Sequence, residues 1–347
     1  MKAFKPHLES LAPYPYRKVE ARVKLDQNES PDDLPPDVKE RALRRLAGLS
    51  WNRYPDLHAE EVRAALARFA GWPAEGVAAA PGSNFLILAL GQAARRVVDT
   101  SPSFAYYEGA ARLSGVDYRP VRLGADFALP VGGLLAALSG EPGVLFLAVP
   151  HAPTGRLFPR AEVMPVVEAA TQGGWLVVID EAYHQFAGSD YRDLARQNPG
   201  VVLLRTFSKA WSLGGLRAGY LLGAPEVAGK VQSMLPPFLV PATSAAVLLS
   251  ALESPGYVEA LAARIVAERA RLLAGLAAHP AWKAHESATN FVLVRTPDAK
   301  AAYEGLLSRG ILVRRQDHYP GLAGCIRVSV GTPAENDAFL EAARELR

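Results

Sequence analysis

VVLLRTFSKAWSLGGLRAGY, residues 201–220, begins as a strand with no polar face and ends in a turn crowded with polar groups. The apolar run from Val201 to Leu204 has the bulk of a strand hidden inside a sheet, and it gives way to Thr206, Ser208 and Lys209. Lys209 therefore stands at a strand end. Ser212, Gly214 and Gly215 let backbone approach a ligand closely, and Arg217 follows eight residues after the lysine. A desolvated lysine loses its proton readily and becomes an imine-forming nucleophile, while hydroxyls and a guanidinium fork suit a phosphate dianion. Together these are the needs of pyridoxal phosphate. Alone, a Ser-Lys pair after a strand is also an ordinary surface turn, so its neighbours must decide.

The totals narrow the field. At 347 residues the chain exceeds one ordinary domain, which predicts one large domain and one smaller one. Half of the residues are hydrophobic and 21% are charged, enough apolar material for a substantial core. The net charge of +3 is small and the basic residues are scattered, which argues against nucleic acid as a partner. Cys325 is the single cysteine and cannot form an internal disulfide, in keeping with a reducing, cytoplasmic setting. The start, MKAFKPHLESLAPYPYRK, has no apolar core of signal-peptide length, and no run has the roughly eighteen apolar residues that span a bilayer. The seven histidines form no HxxxH pair, so no metal is expected.

Residues 1–35, with five prolines, read as an irregular arm that contains Tyr14, Tyr16 and the turn-prone LDQNESP of Leu25 to Pro31. Helical spacing over Asp37 to Leu49 and His58 to Ala70 brackets the aromatic link WNRYPD, Trp51 to Asp56. PGSNFLILALGQAARRVV, Pro81 to Val98, reads as one helix whose Gly82 and Ser83 opening presents free N–H groups to an anion. After the aromatic SPSFAYYEG, strands at Val144 to Val149, Trp175 to Ile179 and Val201 to Leu204 alternate with helices such as Arg160 to Gln172. That alternation predicts an α/β domain over 36–254, a mostly parallel sheet with helices on both faces and ligands at the carboxyl ends of its strands. Those ends carry PHAPTG, DEAY and TFSK. Asp180, directly after a buried run, is a carboxylate that calls for a cation or ring N–H. From residue 255 a long helix, short strands bearing Arg314, Arg315 and Arg327, and a last helix predict a smaller α+β domain over 255–347.

With Lys209, Asp180, Tyr183 and Arg217 in this order, the chain resembles the fold-type I pyridoxal-phosphate aminotransferases, and the histidinol-phosphate aminotransferases more closely still. LDQNESP resembles that family's LNxNENP, RYPD its RYPD or RYPE, SPSFAYYE its PTYxxY and FSKAWSLGGLRAGY its LSKAFxLAGLRxGY; DEAY is identical, and GILVRRQ with GCIRVSVGT resembles its C-terminal pattern. The resemblance implies a sheet of the family's seven-stranded type, a homodimer and transamination between histidinol phosphate and 2-oxoglutarate. It implies that Lys209 binds the aldehyde carbon and shuttles the substrate proton, that Asp180 holds the pyridine nitrogen protonated, and that Tyr183 donates to the phenolic oxygen. Ser83, Asn84, Thr206, Ser208 and Arg217 would cradle the phosphate, Phe104 would stack on the ring, and Tyr54 would reach the neighbouring subunit's cofactor. Arg327 would clamp the α-carboxylate, with Arg314, Tyr14 and Asn28 at the far end of the substrate.

Three departures stand out against that pattern, the first being the phosphate loop, usually GSD or GSE, which reads Gly82, Ser83, Asn84 and loses a charge near the phosphate. The asparagine expected to meet the phenolic oxygen is Ala152, which leaves Tyr183 as chief donor unless His151 turns inward to substitute. Arg315 replaces a residue that is often acidic, which makes the substrate end unusually basic. An aromatic aminotransferase, an amino-acid-phosphate decarboxylase of the same fold, or a non-catalytic binding protein are the competing readings.

Overall fold

The computed structural model describes residues 5–9 and 18–346. A two-residue strand, β1 (Val23–Lys24), comes first. The main sheet takes the next seven: β2 (Val77–Ala80), β3 (Arg96–Ser101), β4 (Asp117–Arg122), β5 (Val144–Ala148), β6 (Leu176–Asp180), β7 (Val201–Thr206) and β8 (Gly219–Leu222). They lie in the order β2-β8-β7-β6-β5-β3-β4. All are parallel except β8, which runs against both β2 and β7.

Every residue of β5 and β7 is buried, so these strands show no polar alternation. Alternate side chains still go to opposite faces. Val201 and Leu203 join one core with Leu145, Leu147, Val177 and Ile179, while Val202 and Leu204 join the other with Val144, Phe146 and Val178. The edge strand β4 is largely exposed and carries Pro120, tolerated where no neighbour needs an N–H. Because six strands share one direction, the ends after β3, β5, β6 and β7 open on one rim of the sheet.

The remaining strands are β9 (Lys283–Ala284), β10 (Phe291–Arg295), β11 (Ile311–Leu312), β12 (Arg314–Arg315) and β13 (Cys325–Ser329). β12, β13, β10 and β9 form an antiparallel sheet in that order. β11 instead pairs in parallel with β1, so the N-terminal arm is stitched to the C-terminal part of the chain. The helix Pro333–Arg344 is opened by a capping box between Thr332 and Glu335.

One expectation fails here. The helix read over 81–98 ends at Ala93, Ala94 swings to ψ 145°, and residues 96–101 are β3. Val97, Val98 and Thr100 are β-branched and pack inside the sheet, which outweighs the helical continuity of the apolar run before them. β2 and β8 were also absent from the sequence reading: Val77–Ala80 is mostly alanine and Gly219–Leu222 lacks β-branched residues. No helix among the described residues is long and apolar enough to cross a membrane.

Candidate active site

The turn after β7 is held by its own side chains. The Thr206 hydroxyl accepts from the Ser208 N–H (3.1 Å) and donates to the Ala218 carbonyl (3.4 Å). Thr206 thus shapes the turn from behind and is buried, whereas Ser208 and Lys209 emerge from it. The Ser208 hydroxyl accepts from Arg217 Nη1 (3.1 Å), which also donates to the Gly214 carbonyl (3.0 Å). Arg217 is itself left-handed, at φ 57°.

Across this turn lies the start of the helix Ser83–Ala93, whose N-cap is Gly82 at φ 86°. A Cβ on Gly82 would lie 2.8 Å from Arg217 Nη2, and one on Gly219 would lie 2.4 Å from the Ser83 nitrogen. Only glycines allow the helix start and Arg217 to approach this closely. Ser83 and Asn84 occupy the first turn, where uncapped N–H groups and the dipole favour an anion. The elements expected to form a phosphate cradle therefore come together.

Lys209 projects towards the arm, where Nζ donates to the Gln27 carbonyl (3.1 Å) and lies 5.9 Å from the centre of the Tyr183 ring. Burial lowers its ammonium from 10.5 to about 7; the Arg327 and Arg217 guanidiniums push the same way and Glu29 partly opposes them. A cavity of about 810 Å3 opens in front of it, lined by Lys209, Ser208, Arg217, Lys24, Gln27 and Glu29 among others. A second cavity, of about 690 Å3, lies beside the helix Gly256–Ala277; no lysine, histidine, serine or cysteine lines it, so it offers no comparable chemistry.

Asp180 closes β6. Burial raises its carboxyl to about 6, against the pull of two donors, the Tyr107 hydroxyl (2.6 Å) and the Ala182 N–H (3.0 Å). No cation among the described residues is paired with it. Tyr107 is fully buried and stacks on Phe146 with centres 4.7 Å apart. Its role was not anticipated, although Phe104 and Tyr107 stand one helical turn apart in SPSFAYYE and meet edge-on at 5.6 Å.

Arg314 and Arg327 are direct cross-strand partners on β12 and β13, so both side chains leave the same face of the small sheet. Arg327 donates to the Asp26 carbonyl (2.8 Å) and lies over Phe291, whose ring meets Tyr183 edge-on at 5.3 Å. Two expectations change, those for Arg315 and His151. Arg315 is tied to Asp317 through two hydrogen bonds (3.1 and 2.6 Å), and its charge is largely answered there, so it does not make the site more basic. Asn28 has a partner that the sequence did not suggest: its amide donates to the Tyr183 hydroxyl (3.0 Å). His151 is wholly buried but does not turn to the site, because both ring nitrogens meet hydroxyls, Nε2 at Thr100 (3.0 Å) and Nδ1 at Thr154 (2.7 Å). Tyr54 is 82% exposed and stacks on Phe238. Tyr14 lies outside the described residues. No group of three or more potential metal ligands occurs among the described residues.

Residues 20–342 match the family described as aminotransferase class I and II. The chain is 48% identical to a histidinol-phosphate aminotransferase of Deinococcus radiodurans over 96% of this chain and 94% of that protein. It is 40% identical to one from Methylibium petroleiphilum, over 96% and 92%. The crystal structure of the histidinol-phosphate aminotransferase of Sinorhizobium meliloti in complex with pyridoxal-5'-phosphate superposes with a TM-score of 0.88, at 28% identity, covering 99% of this chain and 97% of that one. With this fold, this rim of polar groups and these relatives, the chain belongs to the class I and II aminotransferases, among the histidinol-phosphate aminotransferases.

Proposed function

We propose that this chain is a pyridoxal-phosphate-dependent aminotransferase that exchanges an amino group between histidinol phosphate and 2-oxoglutarate. The observation that carries the proposal is Lys209: an amine at a strand end, lowered to about 7 by burial and neighbouring cations, with an anion cradle beside it. The donor set fits the cofactor. Ser83, Asn84, Ser208 and Arg217 would hold its phosphate, Asp180 its ring nitrogen, Tyr183 its phenolic oxygen and Phe104 a ring face. When bound, pyridoxal phosphate supplies an aldehyde carbon and a cationic ring that withdraws electrons from the substrate Cα.

The side chains then divide the work. Lys209, partly unprotonated near neutral pH, attacks as a nucleophile and afterwards carries the proton leaving Cα. Asp180, ionised opposite a cation, would keep the ring nitrogen protonated, its carboxylate held in place by the Tyr107 hydroxyl on Oδ2 and the Ala182 N–H on Oδ1. Arg327 takes the α-carboxylate of glutamate. Histidinol phosphate has no carboxylate; its phosphate sits on the carbon next to Cα and is large enough to meet Arg314 as well as Arg327.

Purified protein should therefore transaminate histidinol phosphate far faster than phenylalanine; a preference for phenylalanine or release of CO2 would replace this reading by a competing one. Arg327→Ala should impair both half-reactions, and Arg314→Ala should lower kcat/KM for histidinol phosphate about 30- to 150-fold with little effect on glutamate, the loss of one charge-assisted contact. Equal losses for both substrates in Arg314→Ala would show that Arg314 does not select the phosphate.

The proposal extends to a homodimer in which Tyr54 reaches the partner's cofactor phosphate. Its support is an exposed aromatic patch: Trp51 is 80% and Tyr54 82% exposed, on one link beside Phe238. Sedimentation of the cofactor-loaded protein should give a dimer, and Tyr54→Ala should weaken cofactor retention; a fully active monomer would remove this part.

A further inference from the structure

Asn28 is a polar residue in an unfavourable conformation with every polar group engaged. It is 1% exposed and left-handed, at φ 53°. Its backbone N–H donates to Ser329 Oγ (2.8 Å) and its carbonyl accepts from Asn290 Nδ2 (2.9 Å). The side-chain oxygen faces the Ser329 hydroxyl (3.4 Å), which leaves the NH2 end to donate to the Tyr183 oxygen at 3.0 Å. A left-handed asparagine costs stability and persists only where its surroundings over-determine it. Here Ser329 of β13 and Asn290, the residue before β10, hold it against the one tyrosine of the DEAY turn.

A phenol oxygen has one proton to give and lone pairs to receive. Because Asn28 donates into that oxygen, the Tyr183 proton does not point at Asn28 and is directed elsewhere. Accepting one hydrogen bond also polarises the O–H and strengthens the one it donates. The ring cannot swing away, being edge-on to Phe291 at 5.3 Å. At the neighbouring strand end, Ala152 brings no donor, and both nitrogens of His151 are held by Thr100 and Thr154.

We infer that Asn28 is a positioning residue: its amide aims the Tyr183 hydroxyl at the cofactor's phenolic oxygen and so offsets the donor that Ala152 does not supply. This rests on the pyridoxal-phosphate reading of the site. A phenolate with a weaker donor grips its shared proton more firmly, so the pH midpoint of the bound cofactor's visible absorbance rises when the donor is weakened.

The test is a spectrophotometric pH titration of the loaded enzyme. Asn28→Gly keeps the left-handed backbone and deletes the amide, and Asn28→Asp keeps the shape but turns the donor into an acceptor that draws the Tyr183 proton back. Expected are a rise of about 1 pH unit for Tyr183→Phe and about half a unit for Asn28→Gly, with Asn28→Asp close to Tyr183→Phe. Asn28→Gly should add nothing in the Tyr183→Phe background, which separates action through the tyrosine from a general loosening of the site. If Tyr183→Phe shifts the midpoint and Asn28→Gly does not, or if Asn28→Gly shifts it equally without the hydroxyl, the inference is overturned while the cofactor reading stands. Unaltered protein that binds no pyridoxal phosphate overturns both.

Discussion

Lys209→Ala lowers transamination at least about 10⁴-fold, because it deletes a nucleophile and a proton carrier whose acid–base part alone is worth about 10² to 10⁴. Lys209→Arg should do no better. It keeps a cation in the cavity but one that does not deprotonate, so the pair separates the chemistry of the amine from its charge. The pH behaviour follows from the same site. An ordinary lysine titrates near 10.5, whereas burial brings Lys209 down to about 7, with Arg327 and Arg217 helping. The free amine is the reactive form, so in cofactor-free protein amine-directed acylation of Lys209 should rise with pH through a midpoint near 7. Glu29 favours the charged form, and Glu29→Gln should move that midpoint down. A midpoint near 10.5, or Lys209→Arg with a tenth of normal activity, would sink the assignment.

What could be read without coordinates was whatever a local run makes plain. The end of β7 was legible because four buried apolar residues stop at a polar turn, and Asp180 because it closes another such run. β8 was not: its reversal depends on hydrogen bonds to β2 and β7, one of them built from alanines that signal neither strand nor helix. β3 was hidden by an apolar run continuous with the helix before it, since periodicity does not show where one element yields to the next. Within the site, the partners that tune each group are distant in sequence. Tyr107 meets Asp180 across 73 positions and Asn28 meets Tyr183 across 155, pairings set by the sheets rather than by any spacing along the chain. Both arginines of β12 were expected to add charge at the substrate end. Strand alternation separates them, Arg314 pairing with Arg327 while Arg315 turns to Asp317.

Asp180→Asn should lower kcat about 10²- to 10³-fold, the usual cost of removing one preorganised electrostatic partner from a closed site. Asparagine has the same shape, and its oxygen can still accept from Tyr107, so the fold should stay intact. What is lost is the negative charge. With no cation opposite, burial raises Asp180 to about 6, and only the Tyr107 O–H and the Ala182 N–H pull against that rise. A protonated ring nitrogen facing it would pull the carboxyl down, so the cofactor and Asp180 each hold the other in its charged form. Tyr107→Phe removes the stronger of the two stabilising donors and should raise the Asp180 pKa, costing activity first at the acid end of the pH profile and least at high pH. That slope is the informative part. If Tyr107→Phe lowers kcat equally at all pH values, Tyr107 is only filling space against Phe146; if Asp180→Asn keeps a tenth or more of the activity, ring protonation does not depend on this carboxylate.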